Sequence, residues 1–572
     1  MYIVFSCWPQ SRPKPTLPRL AAQALSAATL ACAGLLLAPA VEAADTAASA
    51  QRAVRIEFDG LAPYHQKREA FVDAQGRTRV IVDFVDSAHD VCLEAAREDL
   101  ERFVPGRDRH NPIALRLIED YERRFGIEPV YRTNAHGEPE RSNLTTWVGA
   151  SLTAYLTSEQ IEGLRRDKNV RLVTQDAPIG FSSPMWTPSW NGDPWTELND
   201  WGWTAVQGKS RLNDSTRKVY ILDSGVAYHD DLGSVISRGN TNPGPGALFL
   251  VGCYAHATHV AGIVGAREQY NGSNRRGIYA GVDMVSLALW SDAGYTSECN
   301  SGLSNVSSAI GIALDTVYSE GIGPTGSPQL KPHIVNLSAN PNTDTGFNAY
   351  GVAETNQQKI VKLISPTWAF PPFYSVWHPG HVFVQSAGNQ YENVCSGATA
   401  KAFKTAWNAS STAVDGAIVV GAINAEGKPV GGPNGKFQDG YPALGDSYPP
   451  DPPILQGEAG SNYGPCVDMW APGDFIYSTW GAGKQSTLQS GSYSGGEPSS
   501  CASGTCVSPS EQGWFWLSGT SMAAPHVADA AAYVADLYGL STPAAIEQKL
   551  RDTWYSLPTL DAANEAVRMV RL

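Results

Sequence analysis

The sequence lacks three features that mark large classes of protein: a concentrated run of lysine and arginine, a CxxC pair and an HExxH motif. Its 572 residues carry 42 basic and 56 acidic side chains, giving a formal charge of −14. An acidic chain without a basic cluster is a poor candidate for binding nucleic acid or an anionic membrane, so neither partner is expected. The missing cysteine and histidine motifs argue against a zinc site.

Long apolar runs are scarce as well. A single run, residues 20–40, follows three basic side chains and leads into a Val-Glu-Ala site. This pattern predicts a secretory signal peptide over residues 1–43, cut after Ala43. The alternative is a membrane anchor, because the run is near the lower limit for spanning a bilayer. No other segment has the roughly 18 apolar residues that spanning requires, so we expect a protein without a stable membrane anchor, secreted to the extracellular space or the periplasm.

Cysteine is sparse, with nine residues in the whole chain. Two belong to the predicted signal peptide, and Cys92 stands alone in the following segment. An even number of cysteines in an exported protein favours disulfides. The pair that encloses only four residues is the surest, and the other two pairings are guesses among about fifteen connectivities. The expected pairs are Cys501–Cys506, Cys253–Cys299 and Cys395–Cys466.

Residues 44–177 have a pattern of their own. Strands are predicted at 79–86, 145–156 and 170–177, with a helix at 112–126 and a second at 157–169 that opens with Thr157 and Gln160 in capping-box positions. In the first helix, Ile113, Leu117 and Tyr121 are spaced to share one face. Strands and helices alternating over so short a span indicate a small α+β sandwich.

Residues 178–572 change character after a tryptophan-rich connector. Continuously apolar strands alternate with helical patterns, which indicates an α/β fold with a parallel sheet flanked by helices. Long insertions are predicted at 424–460, which contains seven prolines, and at 481–513, which is rich in glycine and serine. A helix begun by Thr542 and Pro543 is expected to end the chain with little left over. The predicted strands are 218–226, 283–290, 333–338, 381–389 and 416–423.

Polar residues follow several of these strands. In an open parallel sheet, ligands bind beyond the carboxyl ends of the strands. Asp223, Ser338 and Asn389 come directly after apolar runs, His256 follows a short loop, and Ser521 lies in a small-residue stretch where a helix is expected. Aspartate, histidine, serine and asparagine converging on one edge are the parts of a nucleophilic acyl-transfer site.

Each residue also has a structural alternative. Thr520 or Ser521 would serve as an ordinary helix cap. Asp223 would cap a turn, and Asn389 would be a turn residue after glycine. The histidines at 256 and 259 would suit a metal by their spacing. Only the combination and order of the residues favour catalysis.

Four segments resemble the signature blocks of the subtilisin-like serine proteases: DSG at 223–225, HATHVAG at 256–262, SAGN at 386–389 and GTSMAAPHVA at 519–528. The order Asp, His, Ser matches that family. SNYGPCVDMWAPG at 461–473 resembles a further block, closest to the proteinase K branch. The resemblance covers about 210 to 572. Residues 44–177 are similar to the family's inhibitory propeptide, which is ferredoxin-like.

The resemblance implies roles for individual residues. Asp223, His256 and Ser521 would form the catalytic triad, and Asn389 would donate to the oxyanion. The main chain at Ser338, Ala339 and Asn340 would pair with extended substrate, and Ser386, Ala387 and Gly388 would line the pocket before the cut. The expected partners are protein or peptide substrates and the chain's own propeptide, which would act as an intramolecular inhibitor.

The resemblance also suggests that Asp468 binds a structural calcium ion, the alternative being a solvated loop acid. No cofactor is expected for catalysis, and the protein is expected to be monomeric. Self-maturation would cut the chain between about residues 176 and 186. Three positions depart from the family pattern, which commonly has glycine at each: Ala257, Asn340 and Asp529.

Two other functions stay open from the sequence. One is a processing protease of narrow specificity, or a peptide ligase, whose insertions restrict access to the site. The other is a pseudoprotease that serves as an adhesin or inhibitor scaffold.

Overall fold

A computed structural model describes part of the chain, and the predicted signal peptide, the pairs Cys253–Cys299 and Cys501–Cys506, and most of both predicted insertions lie outside it. The described residues are 73–85, 110–133, 139–146, 150–176, 180–181, 201–210, 212, 215–226, 229–240, 254–267, 276–289, 307–321, 332–340, 381–395, 414–434, 437, 460–480 and 513–572.

The first unit is the predicted α+β sandwich. A four-stranded antiparallel sheet has the order β4-β5-β1-β6. The predicted strand at 145–156 is wrong as a single element, because two strands occupy this stretch. The elements are β1 (Thr78–Phe84), α1 (Pro112–Phe125), β2 (Tyr131–Thr133), β3 (Pro139–Arg141), β4 (Leu144–Thr145), β5 (Ser151–Leu156), α2 (Ser158–Arg166) and β6 (Val170–Gln175).

Local sequence signals place both helices of this unit. Asn111 caps α1 by accepting from the Ile113 N–H, and Gly126 ends it in the left-handed conformation. Thr157 and Gln160 form the predicted capping box of α2. The apolar face of α1 packs with the sheet, and the tilted rings of Tyr121 and Phe84 contact each other in its core, with centroids 4.6 Å apart.

A short strand, β7 (Gly180–Phe181), follows the first unit. The second unit is a nine-stranded sheet with the order β10-β12-β9-β13-β15-β16-β17-β21-β20. Its pairs are parallel except β20–β21. Its strands are β9 (Lys218–Asp223), β10 (Val235–Asn240), β12 (Asp283–Ala288), β13 (Ile334–Leu337), β15 (Val382–Ser386), β16 (Ala417–Ile423), β17 (Met469–Pro472), β20 (Tyr555–Leu560) and β21 (Ala566–Met569).

Helices and small two-stranded sheets complete this unit. The helices are α3 (Trp201–Val206), α4 (Tyr254–Gly265), α5 (Ser307–Gly321), α6 (Thr520–Leu537) and α7 (Pro543–Thr553). The remaining strands are β8 (Lys209–Ser210), β11 (Tyr279–Ala280), β14 (Ala339–Asn340), β18 (Ile476–Trp480) and β19 (Gly513–Leu517). They pair as β8 with β11, β7 with β14 and β18 with β19.

The apolar strands form the centre of the sheet as predicted. All described side chains of β13, β15, β16 and β17 are buried. Helix α6 is buried almost all round, which its alanine-rich sequence allows because small side chains let the helix approach the sheet closely. The α/β architecture with helices flanking a parallel sheet is therefore confirmed.

The C-terminus differs from the prediction. Thr542 caps α7 as expected, but the chain continues as the hairpin β20–β21, and β21 joins the main sheet beside β17. Strand β20 is at the sheet edge, where Pro558 is tolerated because no further strand needs its missing N–H. Among the helices that the structure describes, none is both long and apolar enough for a transmembrane span.

Candidate active site

Neighbouring strands of the main sheet end side by side at the candidate site. Leu222 of β9 pairs with Leu337 of β13, and Leu337 pairs with Gln385 of β15. Since the strands are parallel and in this register, the next residues of all three strands come to the same edge. These next residues are Asp223, Ser338 and Ser386, and each is buried.

Asp223 and His256 are directly bonded. His256 lies in the first turn of α4, and its Nδ1 is 2.8 Å from Asp223 Oδ1 and 3.0 Å from Oδ2. The carboxylate also accepts the Ser224 N–H at 2.6 Å. A carboxylate at Nδ1 selects the tautomer with the proton on that nitrogen, which leaves Nε2 as the basic atom of the ring. Neither side chain is exposed to solvent.

Ser224 is a site residue that the sequence did not single out. Its Oγ accepts the N–H of Ala257 at 3.3 Å, which ties the first turn of α4 to the end of β9. Ala257, one of the departures from the family pattern, is fully buried beside this contact. The signal in the sequence was the DSG block itself, which places a hydroxyl directly after the aspartate.

Strand β18 contacts the middle of the same histidine block. Ser478 Oγ donates to the His259 carbonyl, and Thr479 Oγ1 donates to the Thr258 carbonyl, both at 2.7 Å. The His259 ring bonds the Ile476 carbonyl through Nε2 at 3.0 Å. The two histidines of the block therefore serve different partners. Among the described residues, no cluster of three histidine, cysteine or acidic side chains could hold a metal.

Ser521 lies in the first turn of α6. The N-cap of this helix is Gly519, and no side chain caps it, so the alternative that Thr520 or Ser521 is simply a helix cap is wrong. The Ser521 hydroxyl instead donates to the Ser338 carbonyl at 3.0 Å. The hydroxyl therefore lies at the strand edge that also carries Asp223, beside the positive end of a helix.

Ser338 makes the reciprocal contact. Its Oγ donates to the Ser521 carbonyl at 3.0 Å and accepts from Asn336 Nδ2 at 3.0 Å. The Ser521 carbonyl would ordinarily accept the N–H four residues on, but that residue is Pro525, which has none. Ser338 supplies the missing donor, which fixes the main chain at the candidate nucleophile.

The orientation of the Asn389 amide is set by Thr520. Asn389 Oδ1 accepts the Thr520 N–H at 2.9 Å and the Thr520 hydroxyl at 2.8 Å. Two donors on one atom identify it as the oxygen, so Nδ2 is the end of the amide that is left to donate elsewhere. Thr520 is a second site residue whose role the sequence missed, because the sequence analysis named it only as a helix cap within the GTSMAAPHVA block.

Hydrogen bonds from the Asn462 side chain hold the loop that carries Asn389. The Asn462 side chain donates to the Ala387 carbonyl at 2.9 Å and accepts the N–H groups of Gln390 and Glu392 at 3.0 Å. Gly388 has φ 101°, a left-handed value that favours glycine, and its N–H donates to Thr520 Oγ1. Asn462 lies in the SNYG part of a block that the sequence analysis identified, but no role was predicted for it.

A disulfide closes the same loop region. Cys395 and Cys466 are bonded with an S–S distance of 2.03 Å, as the sequence predicted for this pair. The bond joins the segment after Asn389 to the segment after Asn462. The other two predicted pairs lie outside the described residues.

Asp468 bonds a cation of the chain. One carboxylate oxygen is 2.6 Å from Arg551 Nη2, and the other accepts the Val419 N–H at 2.9 Å. Arg551 also pairs with Glu547. Because a guanidinium already neutralises this carboxylate, its described surroundings do not favour a calcium ion, and calcium there stays an untested prediction.

Two buried titratable groups lie along α6 behind Ser521. Burial lowers the pKa of His526 to about 4, although its bond to the Met522 carbonyl acts in the opposite direction. Burial also raises the pKa of Asp529 well above its ordinary value, although the Tyr279 N–H donates to its carboxylate. At neutral pH the His526 ring is uncharged, and burial shifts Asp529, where the family commonly has glycine, toward its uncharged form.

A segment of the chain itself lies at the predicted substrate-pairing strand. Strand β14, which contains Ala339 and Asn340, pairs antiparallel with β7. A separate contact joins the first unit to α5: Asp315 accepts the Thr146 N–H at 2.8 Å and the Thr146 hydroxyl at 3.3 Å. Asp315 is 2% exposed in this arrangement.

Comparisons with known proteins place this site in a family context. Residues 214–567 match the model of the Subtilase family, also named Peptidase_S8. An extracellular serine proteinase of a Thermus species is 25% identical over 405 residues, which is 70% of each protein. A cuticle-degrading protease of Metarhizium anisopliae is 37% identical over 93 residues, so the chain spans only 16% of that protein. Fervidolysin from Fervidobacterium pennivorans, a keratinolytic enzyme related to subtilisin, has 15% identity and a TM-score of 0.44, with 90% of this chain and 61% of that one covered.

Proposed function

The chain belongs to the subtilase family, and from that membership we propose that it is a secreted serine endopeptidase made as a self-maturing zymogen. The observation that carries the proposal is the set of contacts at one sheet edge. His256 is bonded to a buried Asp223, and the Ser521 hydroxyl is bonded to the carbonyl of the adjacent strand end at Ser338. A scaffold without catalysis would not need to bury an aspartate–histidine pair at this edge.

The proposed reaction begins with proton removal. A serine hydroxyl is a weak nucleophile until a base takes its proton. Asp223 holds the His256 proton on Nδ1, so Nε2 accepts the Ser521 proton while Oγ attacks the peptide carbonyl. The imidazolium that forms lies against the buried carboxylate and then protonates the leaving amine. Water then attacks the ester on Ser521, and the same steps in reverse order release the acyl group.

The negative charge on the carbonyl oxygen needs donors aimed at it. Thr520 holds the Asn389 oxygen, which supports Nδ2 as one donor. The Ser521 N–H at the start of α6 is the second, since the first N–H groups of a helix have no partner within it. Removing such a donor from subtilisin costs about 10²–10³ in kcat, and a loss of that order is expected for Asn389→Ala.

Substrate would bind by its main chain. Extended peptides add to exposed strand edges through backbone hydrogen bonds, which makes binding tolerant of side-chain sequence. The residues proposed for this role are Ser338, Ala339 and Asn340. Ser386, Ala387 and Gly388 would line the pocket for the residue before the cut, and they lie beside this edge through the β13–β15 pairing.

Two contacts support the proposed role of residues 44–177 as an inhibitory propeptide. Asp315 of the second unit binds the main chain at Thr146 of the first. The segment after the first unit occupies the edge of β14, where substrate would pair. An inhibitor that fills the substrate edge keeps the enzyme inactive until the chain is cut and the first unit leaves.

Secretion rests on the N-terminal pattern of residues 1–43, which the Thermus relative's name, extracellular serine proteinase, supports. Nothing in the proposed chemistry requires a cofactor or a second copy of the chain.

The test is active-site labelling of secreted protein, wild type beside Ser521→Ala, followed by intact-mass spectrometry. A fluorophosphonate probe should add to wild type once and to Ser521→Ala not at all, and only wild type should lose its first 175 or so residues. Unlabelled, full-length wild type would contradict the catalytic proposal and favour the pseudoprotease alternative. Cleavage of a random peptide library then separates a broad endopeptidase from one of narrow specificity.

A further inference from the structure

The loop that carries Asn389 lies alongside one other segment of the chain. We call residues 387–395 the oxyanion loop and residues 460–466 the supporting segment. Main-chain hydrogen bonds join the two at five points. They run from Gly460 to Asn389 (3.2 Å), Tyr391 to Gly460 (2.9 Å), Asn462 to Gly388 (2.8 Å), Tyr463 to Glu392 (3.0 Å) and Val394 to Tyr463 (3.0 Å). The position of the Asn389 amide therefore depends on where the supporting segment lies.

Gly464 brings the supporting segment into direct contact with the oxyanion loop. Its φ is 125°, a value that favours glycine. A Cβ at this position would lie 2.6 Å from Asn393 Oδ1 and 2.8 Å from Cys395 Sγ, closer than real Cβ atoms come. Because the Gly464 main chain leaves no gap at this contact, a displacement of Gly464 would displace the oxyanion loop as well.

Asp561 of the C-terminal hairpin binds Gly464 from the other side. It follows β20, is 6% exposed, and accepts the Gly464 N–H at Oδ2 over 3.0 Å, across 97 positions of the sequence. Its Oδ1 accepts the N–H groups of Ala563 and Glu565 at 2.8 and 2.9 Å, which closes the turn between β20 and β21. The two carboxylate oxygens therefore have different tasks, one within the turn and one outside it.

The Asp561 charge also acts on the oxyanion loop. Burial is the first cause of the raised pKa of Tyr391, and the charges of Tyr463 and Asp561 raise it further. The Tyr391 and Tyr463 rings contact each other, with centroids 5.3 Å apart. Since Tyr391 is two residues beyond Asn389, the turn, the supporting segment and the oxyanion loop form one continuous set of contacts.

We propose that Asp561 is a positioning residue for the oxyanion donor: its bond to Gly464 fixes the supporting segment, which fixes Asn389. The inference rests on the proposed protease function and adds to it a residue that does not touch the substrate. Negative charge on the carbonyl oxygen develops only in the transition state, so a displaced amide weakens the transition state more than substrate binding. A change at Asp561 should therefore act on kcat and leave KM almost unchanged.

The substitution Asp561→Asn removes the outer bond selectively. An amide has a single acceptor oxygen, which cannot close the turn and accept from Gly464 at once. On a peptide amide substrate, kcat per active site counted with a fluorophosphonate should fall about tenfold, part of the roughly 10²–10³ that an oxyanion donor supplies. KM should stay within about twofold, because binding of the ground state does not use this donor. Glu565→Gln, at an exposed acid of the same turn, is the matched control and should keep the wild-type kcat.

The outcomes separate this inference from the protease function. Wild-type kcat in Asp561→Asn overturns the role of Asp561 and leaves the protease standing. Wild type that neither cleaves the substrate nor binds the fluorophosphonate overturns the protease function itself.

A double-mutant cycle separates positioning from general loosening of the fold. In an Asn389→Ala background there is no amide left to position, so Asp561→Asn should lower kcat no further. If Asp561 merely stabilised the fold, the substitution would lower kcat by the same factor in both backgrounds. Equal factors would overturn the inference.

Hydrogen exchange gives a readout that does not depend on activity. In full-length Ser521→Ala, adding Asp561→Asn should speed exchange of the Tyr391 and Val394 N–H groups, whose acceptors lie in the supporting segment. The amides of β15 should exchange as before. Asp561→Ser, whose hydroxyl also closes turns, is the second variant if the first does not fold. Unchanged exchange at both loop amides, or equal acceleration in β15, overturns the inference.

Discussion

Pro525 shapes the candidate nucleophile from four residues away. It removes the helical donor for the Ser521 carbonyl, and Ser338 Oγ takes that place. Leaving a buried carbonyl without a donor costs about 1–3 kcal/mol. The exchange couples the start of α6 to the end of β13, so the serine's main chain is held by the same strand end that binds its hydroxyl.

Ser338→Ala should therefore lower the thermal unfolding midpoint, because the buried Ser521 carbonyl loses its donor. The measurement is best made in a Ser521→Ala background, which prevents self-digestion and keeps the carbonyl. Pro525→Ala restores a main-chain N–H at the helical position and should recover most of the loss. Equal losses from Ser338→Ala with and without Pro525→Ala would show that this hydrogen bond does not carry the coupling.

The lowered pKa of His526 predicts that acid destabilises the folded chain. Its pKa is about 4 when folded and 6.5 when unperturbed, so between these values the unfolded chain binds a proton that the folded chain does not. The contribution of the neutral His526 ring to the free energy of unfolding is fully present above pH 6.5. It is lost as the pH falls toward 4, a loss of about 3 kcal/mol in all. In His526→Gln, unfolding midpoints measured from pH 7 to pH 4 should fall less than in wild type. Parallel curves for the two proteins would contradict the assignment.

Residue-scale chemistry was the most predictable part of the site. Asp223, Ser338 and Asn389 could be placed because each follows an apolar strand, and parallel strands end at one edge. The roles of Thr520, Ser224 and Asn462 were missed, because they consist of hydrogen bonds to main-chain or amide groups across long sequence separations. Hydrophobic periodicity carries no information about such bonds.

At the scale of elements, burial decided which predictions held. The central strands are continuously apolar, so their positions were read correctly to within a few residues. The hairpin β20–β21 was missed because β20 contains Pro558 and is mostly exposed, which is the pattern of an irregular tail. Strands β7 and β14 have two residues each, too few for any alternation to appear.

The disulfide joins two loop elements of the site. Cys395 and Cys466 close a loop with a sequence separation of 71, and linking residues so far apart restricts the unfolded chain. Cys395→Ser combined with Cys466→Ser should lower the free energy of unfolding by about 2–4 kcal/mol. The loss should be visible in denaturant titrations of a Ser521→Ala background. An unchanged midpoint would show that the disulfide adds no stability to the hydrogen bonds that hold this loop.

At the scale of the whole molecule, one acid joins the two units. Asp315 lies on α5 of the second unit, and both of its carboxylate oxygens accept hydrogen bonds from Thr146 of the first unit. The two units were separable in the sequence by their different patterns. Their contact was not predictable, because it pairs residues 169 positions apart through a main-chain N–H.

Asp315→Ala should weaken the hold of the first unit after the chain is cut. A hydrogen bond to a charged acceptor contributes about 1.5–3 kcal/mol, so losing the bond to the Thr146 N–H alone should make the released fragment bind roughly ten- to a hundredfold less tightly. Cleavage is followed by mass spectrometry, and activity is followed on a peptide substrate. The lag between cleavage and the rise of activity should shorten. Glu426→Gln, at an exposed acid of the same unit, is the matched control and should keep the wild-type lag. An unchanged lag in Asp315→Ala would show that other contacts hold the fragment.

The edge of β14 has a consequence for what the proposed protease can digest. Once β7 leaves, this edge accepts only a stretch of chain that is free to lie straight and offer its own backbone groups. Most backbone groups of a folded protein are already engaged with each other. A globular target would therefore be cut at a rate set by its own local opening, and the enzyme would act as a gauge of the stability of the proteins around it.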